Sequence, residues 1–382
     1  MNSPVVKLDP VLGVSSALSK VDRAAHELRR GDTLVIRGPA GRHAIIAAEA
    51  MSDQVLKYLQ TNGITNWRLV VTGQRAVRIG FEVEAQDSVY QLTPTELIDA
   101  KTLHETFDPT AALKNGKQAK SGSWTIEPGD QIDSVAVMLL KHASLLPACV
   151  VVPLGDQDLQ DSVQISEADI RTGIIEQGQT LHIVSRARVP LEDAEHVQMV
   201  AFRPKDGGTE HLAIIVGKPD LNKPVLVRLH SECFTGDLLG SLRCDCGSQL
   251  RGAISLMGAT EGGILLYLAQ EGRGIGLINK LRAYQLQDAG LDTVDANFDL
   301  GFEEDERDYM PAVQMLQQLN VHQVRVLTNN PRKVNALTRL GVNVVERVAH
   351  VFPANLHNRG YLLTKGTRGG HLFDLEQFEK EA

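Results

Sequence analysis

Apolar residues follow two different spacings along this chain, and they alternate. Leu18, Val21, Ala25 and Leu28 recur every three or four positions before Gly31, which predicts an amphipathic helix closed by a glycine. TLVIR (33–37) predicts a strand. Ser52 caps a second helix carrying Val55, Leu56 and Leu59 and ending near Gly63, and Arg68–Thr72 predicts another strand. From about Asp87 to Asp130 the periodic signal is weak, and KNGKQAKSGS (114–123) reads as an exposed loop. Helix and strand resume over 135–152.

GDQDLQDSVQISEAD (155–169) is acidic and polar, without apolar periodicity, and is the expected boundary between domains. Beyond it the pattern is more regular. Val225–His230 and GGILLYLAQ, ending at Gln270, predict strands, and a helix follows with Leu277, Leu281, Tyr284 and Leu286 close to one face and Gly290 closing it. Val324–Thr328 predicts a strand, Pro331 sits at a first helical position, Val334, Leu337 and Leu340 repeat before Gly341, and VNVVERV completes a β-α-β unit. The expected fold is α/β in two domains, 1–165 and 175–382. No period of 20 to 50 residues repeats, which excludes solenoids and propellers.

The length of 382 residues agrees, since about 150 residues per domain predicts two or three. With 43% hydrophobic and 23% charged residues the chain can bury ordinary cores and is not a disordered tail. No apolar run reaches the roughly 18 residues of a membrane span, and MNSPVVKLDP has no secretory pattern, so no membrane association and a cytoplasmic location are expected. A net charge of −8 argues against nucleic acid as a partner, while an anionic small molecule needs only a local cluster of donors.

Four cysteines do not make a disulfide framework here. Cys149, in LLPACVVVPL, reads as a small core residue. Cys233, Cys244 and Cys246 lie within 14 residues and offer three soft ligands suited to tetrahedral zinc. Three ligands leave a fourth position for water, the pattern of a catalytic site; His230, three positions before Cys233, stands as the alternative fourth ligand of a closed structural site. Polar residues crowd the same stretch: Arg228–Glu232, Thr235-Gly-Asp237, Ser241-Leu-Arg243, Asp245 and Gln249.

Glu271-Gly-Arg-Gly-Ile-Gly276 follows a strand and opens a helix, a context in which backbone N–H groups bind phosphate, and reads equally as a glycine-rich turn with no ligand. The dinucleotide fingerprint fails, because a third glycine counted from Gly272 would fall at Leu277. In EEDERD (303–308), Asp305 and Arg307 project to the same side only if the segment is extended. Lys333 lies in the first turn of the helix after Thr328-Asn-Asn-Pro331, a further anion site.

HSECFTGDLLGSLRCDCGSQL, QEGRGIGLINKLRAYQLQDAGLDTVDAN, DERDY, LTNNPRKV and the tail HNRGYLLTKGTRGGHL resemble the GTP cyclohydrolase II family, in order, from about Gln179 onward. The resemblance implies an enzyme that opens the imidazole ring of GTP and begins riboflavin synthesis. It implies a catalytic zinc on Cys233, Cys244 and Cys246 whose water attacks carbon 8 and releases formate. It further implies GTP contacts from Arg228, Leu229, His230, Ser231 and Glu232, from Gln249, from Glu271, Gly272 and Arg273, and from Thr293, Thr328 and Lys333, with Mg²⁺ accompanying the phosphates and a homodimer as the assembly.

The family assigns the positions of Asp305 and Arg307 as proton acceptor and nucleophile in diphosphate release, and its tyrosine is present as Tyr284. Because an arginine stays protonated at neutral pH, stabilising charge on phosphate is its natural role.

The N-terminal half resembles 3,4-dihydroxy-2-butanone 4-phosphate synthase in VDRAAHELRRGD, TLVIR, AAEAMSDQVLKYL and LLPACVVVPL. It departs where the chemistry lies, since residues 37–43 (RGPAGRH) contain none of the carboxylates that Mg²⁺ requires. A silent synthase-like domain ahead of an active cyclohydrolase is therefore expected, the alternatives being a bifunctional enzyme and a non-catalytic nucleotide sensor with a structural zinc.

Overall fold

The computed structural model describes residues 16–352, apart from 115–120, 156–158, 160 and 206, together with 358, 366, 368 and 370. The tail motif and most of the 114–123 loop thus lie outside the described residues. In chain order the first half runs α1 (Ser16–Arg30), β1 (Leu34–Gly38), β2 (Gly41–Ala47), α2 (Asp53–Thr61), β3 (Arg68–Thr72), α3 (Gly73–Arg78), β4 (Val89–Pro94), α4 (Ala100–Phe107), α5 (Pro109–Lys114), β5 (Trp124–Pro128), α6 (Gln131–His142), β6 (Ala148–Pro153), β7 (Gln164–Ser166) and α7 (Glu167–Gln177). The second half runs β8 (His182–Arg188), β9 (Val197–Arg203), β10 (His211–Val216), β11 (Val225–Ser231), α8 (Cys246–Gly258), β12 (Gly263–Leu268), α9 (Leu277–Asp288), α10 (Thr293–Asp299), α11 (Met310–Gln318), β13 (Gln323–Leu327), α12 (Pro331–Arg339) and β14 (Asn343–Val348).

Each half is built on one seven-stranded sheet. The orders are β5-β4-β3-β6-β2-β1-β7 and β14-β13-β11-β12-β10-β9-β8. The first is antiparallel except for β1 with β7, whereas in the second β14, β13, β11 and β12 run parallel and β10, β9 and β8 continue antiparallel. The strands alternate as expected. Val225, Val227 and Leu229 of β11 enter the core under α11 and α12, which turns Arg228 and His230 to the opposite face.

Two expectations change. The weakly patterned stretch 87–130 contains β4, α4, α5 and β5; β5 is an edge strand with one fully buried residue, Trp124, so it carries no alternation to read. Asp99 caps α4 by accepting from the Thr102 amide, which starts a helix too short to show a period. The polar segment 155–169 does not merely connect, because β7 pairs with β1 and α7 packs on α1. The chain passes between the sheets after α7, near Gly178.

The halves also share a core. Ile275, Ala283, Leu286, Ala296, Leu300 and Phe302 from the second half are buried with Leu69, Val71, Leu92 and Phe107 of the first. Around this apolar contact Arg75, 4% exposed, donates to the Asp299 carbonyl and carboxylate at 3.0 and 2.9 Å, and Arg282 pairs with Glu49 at 2.7 Å. Cutting the chain near Gln179 would expose this face to water.

Phe302→Ala should therefore lower stability by about 3–5 kcal/mol, the usual result of emptying a large aromatic site. Urea denaturation followed by tryptophan fluorescence, from Trp67 and Trp124 in the first half, and by circular dichroism should give one shared transition, shifted together in the variant; a shift confined to the circular dichroism would show that the halves unfold independently.

Candidate active site

Three parallel strands end side by side: β13, β11 and β12. In a sheet of this kind the carboxyl ends of parallel strands open onto a crevice. β11 delivers Arg228 to Cys233, the turn after β12 delivers Glu271 to Gly276, and the segment after β13 delivers Thr328 to Lys333. Arg228, His230, Ser231, Glu232, Gln249, Glu271, Gly272, Arg273, Tyr284, Thr293, Arg307, Thr328, Lys333 and the three cysteines all line one cavity. Leu229 and Asp305 do not. Asp305 reaches the cavity only through its partner Arg307, and Leu229, 2% exposed in the core, offers only its carbonyl, accepting from Lys333 Nζ at 2.8 Å.

The sulfurs of Cys233, Cys244 and Cys246 lie within 4.8 Å of one another. Gly236 allows this approach, since a Cβ there would stand 2.7 Å from Cys244 Sγ and 3.1 Å from Cys233 Sγ. A metal would meet three soft donors held together by the fold, so the residues fit zinc. His230 is not part of the cluster. Its Nε2 lies 3.1 Å from both carboxylate oxygens of Asp237, and its ring stacks on Tyr267. Asp237 also accepts from the Cys233 amide and the Tyr267 hydroxyl, each at 3.0 Å, so one carboxylate orients the first thiol and the histidine together.

Lys280 lies beneath the cluster. Its ammonium donates to Cys233 Sγ at 3.0 Å, to Thr235 Oγ1 at 3.0 Å and to Glu271 Oε1 at 2.9 Å. Hydrogen bonds from the Cys244 and Cys246 thiols, with Lys280 beside them, hold Cys233 well below the usual thiol range. Burial works to lower the lysine pKa, but Cys233 and Glu271 outweigh it and keep the ammonium charged.

The other carboxylate oxygen of Glu271 accepts from the Phe234 amide at 2.6 Å, which ties the glycine-rich turn to the cysteine loop. That turn is left-handed at Gly272, Arg273, Gly274 and Gly276, with φ of 64°, 63°, 94° and 85°; Arg273 is the residue there that bears a side-chain cost.

Burial lowers the Arg228 pKa to about 10, so the guanidinium stays charged at neutral pH. It donates to Leu327 O and Gln249 Oε1, and its buried Nε has no partner among the described residues. Such a donor is costly unless a ligand meets it. Asp305 and Arg307 form a two-pronged pair, Nε to Oδ1 at 2.7 Å and a terminal nitrogen to Oδ2 at 2.6 Å, in a segment without regular structure. Burial opposes ionisation of Asp305, but the hydrogen bonds from Arg307 outweigh it and hold its pKa below the usual range. Burial pushes Tyr284 up to about 12, and Arg243 lies over its ring at 4.5 Å.

Sequence reasoning missed several cavity residues: Lys280, Gln287, Asn297, Asn329, Asn330 and His350. Lys280, Tyr284 and Gln287 are spaced four and three apart on α9 and so share one face, and that spacing was the available signal.

Soft thiols and cationic donors share one crevice, chemistry that suits a metal and an anionic ligand together. A family model described as GTP cyclohydrolase II matches residues 182–349. The GTP cyclohydrolase-2 of Azospirillum brasilense is 47% identical over 368 residues, 94% of this chain and 95% of that protein. The GTP cyclohydrolase-2 of Klebsiella pneumoniae is 50% identical over 196 residues, 51% of this chain and 98% of that protein. A two-domain 3,4-dihydroxy-2-butanone 4-phosphate synthase from A. baumannii aligns with 87% of this chain and 99% of its own at 15% identity and a TM-score of 0.30, too low to bear on the activity of the N-terminal half. The chain belongs to the GTP cyclohydrolase II family, enzymes of riboflavin biosynthesis.

Gly236→Ala should spread the thiols, because the new methyl group has no free space among the sulfurs. Metal retained per chain after purification is expected to fall by about tenfold or more with the circular dichroism unchanged, as second-shell changes at metal sites do; full metal content would show that the loop accommodates the methyl.

Proposed function

We propose that this enzyme hydrolyses GTP to 2,5-diamino-6-(5-phosphoribosylamino)pyrimidin-4(3H)-one, formate and diphosphate at a zinc centre held by Cys233, Cys244 and Cys246. The observation that carries the reading is the three-thiol cluster lining the same cavity as Arg228, Arg273, Arg307 and Lys333. Zinc there supplies Lewis acidity that makes an attacking water available at neutral pH.

The chain's own residues do the rest. Arg228, whose Nε has no partner among the described residues, and Lys333 meet phosphate oxygens, while the Gly272, Ile275 and Gly276 amides stay bonded to Glu271 and hold the shape of the glycine-rich turn. Asp305 takes the proton-acceptor position that the family resemblance implies; paired with Arg307 it is ionised and only weakly basic, and it holds the guanidinium in place. Arg307 remains protonated and stabilises charge that develops on phosphate when diphosphate leaves; a nucleophilic guanidinium is not needed. Tyr284, protonated at neutral pH, can donate from the α9 face. Mg²⁺ travels with the GTP phosphates in this reading, and a cytoplasmic homodimer is its setting; among the described residues no helix is long and apolar enough to cross a membrane. The N-terminal half makes no synthase product here, since the β1–β2 hairpin at 37–43 offers Arg37, Arg42 and His43 and no carboxylate.

Incubation of the purified chain with GTP should yield formate, diphosphate and the diaminopyrimidine by mass, and Cys244→Ser should lose both zinc and turnover. Intact GTP with full zinc in the wild type would instead favour the nucleotide sensor. Arg307→Ala should keep normal zinc and lose about a hundredfold or more in diphosphate release, the effect of removing a transition-state cation. Wild-type release rates in that variant would remove Arg307 from the reaction.

A further inference from the structure

The reactive segment between α10 and α11 is tied to the N-terminal half at both ends. At its start Thr72 Oγ1 donates to Gly301 O at 2.8 Å, beside the Arg75 contacts to Asp299. Gly301 and Gly276 both have positive φ, and both are approached from the first half: a Cβ on Gly301 would stand 2.9 Å from Thr72 Oγ1 and 3.0 Å from Pro147, and one on Gly276 3.0 Å from Ser144 Cβ. At its far end Lys141 Nζ, on α6, meets Glu306 Oε1 at 2.6 Å, with the two side chains 23% and 18% exposed.

Glu306 is the residue between Asp305 and Arg307, and it closes the segment on itself. Its Oε1 accepts from the Glu303 amide at 2.8 Å, and its own amide donates to Arg273 O at 3.1 Å, backing the segment onto the glycine-rich turn. A Cβ on Gly274 would stand 2.7 Å from Glu306 O, so the two loops also approach closely through their backbones.

We propose that Lys141 is a positioning residue for Asp305 and Arg307, acting through Glu306, and that bracing this loop is a function of the catalytically silent N-terminal half. The inference rests on the reading that Asp305 and Arg307 act on GTP. Its physical basis is that Lys141 fixes Glu306 at a point from which Arg307 lines the cavity and Asp305 pairs with it. Without Lys141, burial would leave Glu306 without its ion-pair partner, and the extended segment would lose its anchor between Glu303 and Arg307. A contact that merely glues two domains would affect stability and not the geometry of a loop carrying reactive groups.

The experiment uses the full chain with Lys141→Met, Lys141→Arg, Glu306→Gln and the double variant Lys141→Met/Glu306→Gln. Lys141→Met and Glu306→Gln should each lower kcat for GTP by about ten- to a hundredfold with KM within about twofold and zinc unchanged, as small misplacements of reacting groups do. Lys141→Arg should recover most of the rate, and the double variant should be no worse than either single one, because both remove the same contact. Hydrogen exchange gives a readout that does not depend on turnover: amides of residues 299–308 should exchange about tenfold faster in Lys141→Met while those of the cysteine loop stay as they were. Unchanged exchange over 299–308 overturns the proposal whatever the activity, as do independent, multiplying losses in the double variant. A wild-type chain that leaves GTP intact sinks the cyclohydrolase reading instead, and the exchange data then decide the bracing role on their own.

Discussion

Three cysteine sulfurs within 4.8 Å of one another cannot carry negative charge together unless positive charge is brought to them. Three thiolates around a divalent ion leave one negative unit, and Lys280 supplies its counterpart from 3.0 Å. Much of the active end of the molecule follows from keeping that lysine in place. It sits on the fourth residue of α9, so the helix must start where the glycine-rich turn ends. Glu271 holds the same ammonium on one oxygen and the cysteine loop on the other, which locks turn, loop and helix into one unit.

The helix that carries Lys280 and Tyr284 inward buries Leu286 on another face, and Ala283 at the cavity's border, against the first half of the chain. The two sheets are therefore joined at the one helix that most directly serves the thiols. This gives the N-terminal half a physical role independent of any chemistry of its own: it covers the apolar back of α9 and α10 and meets the ends of the segment bearing Asp305 and Arg307. The match of a 196-residue stretch to nearly all of the Klebsiella pneumoniae protein shows that the family also includes chains about half this length.

Much of the site could be read residue by residue. The spacing of Cys233, Cys244 and Cys246 indicates a soft-metal site because ligand type and local separation are properties of the sequence. The glycine-rich turn and Pro331 are similarly local, since left-handed backbone and a fixed φ belong to single residues. The strand and helix periods of β1, α1, α2, β3 and β11 are likewise carried by which positions are apolar. Leu229 shows the limit of reading a motif whole: alternation along β11 sends it into the core while Arg228 and His230 turn to the cavity.

What the sequence by itself determined is thus the set of chemical groups and the local shapes that present them. Only the tertiary structure decided that β13 pairs with β11 and not with β12, the strand before it in the chain, and the order β13-β11-β12 gathers three separate motifs at the carboxyl ends of neighbouring strands. It also decided that Lys280 faces a thiol, that Asp237 rather than a metal holds His230, and that Lys141 reaches Glu306 across 165 positions of chain. The reason is physical: hydrophobic burial is non-directional, so an apolar pattern fixes which face of an element turns inward but not which other element it meets. Pairings between distant charges exist only after strand order and the shared core have brought their backbones together.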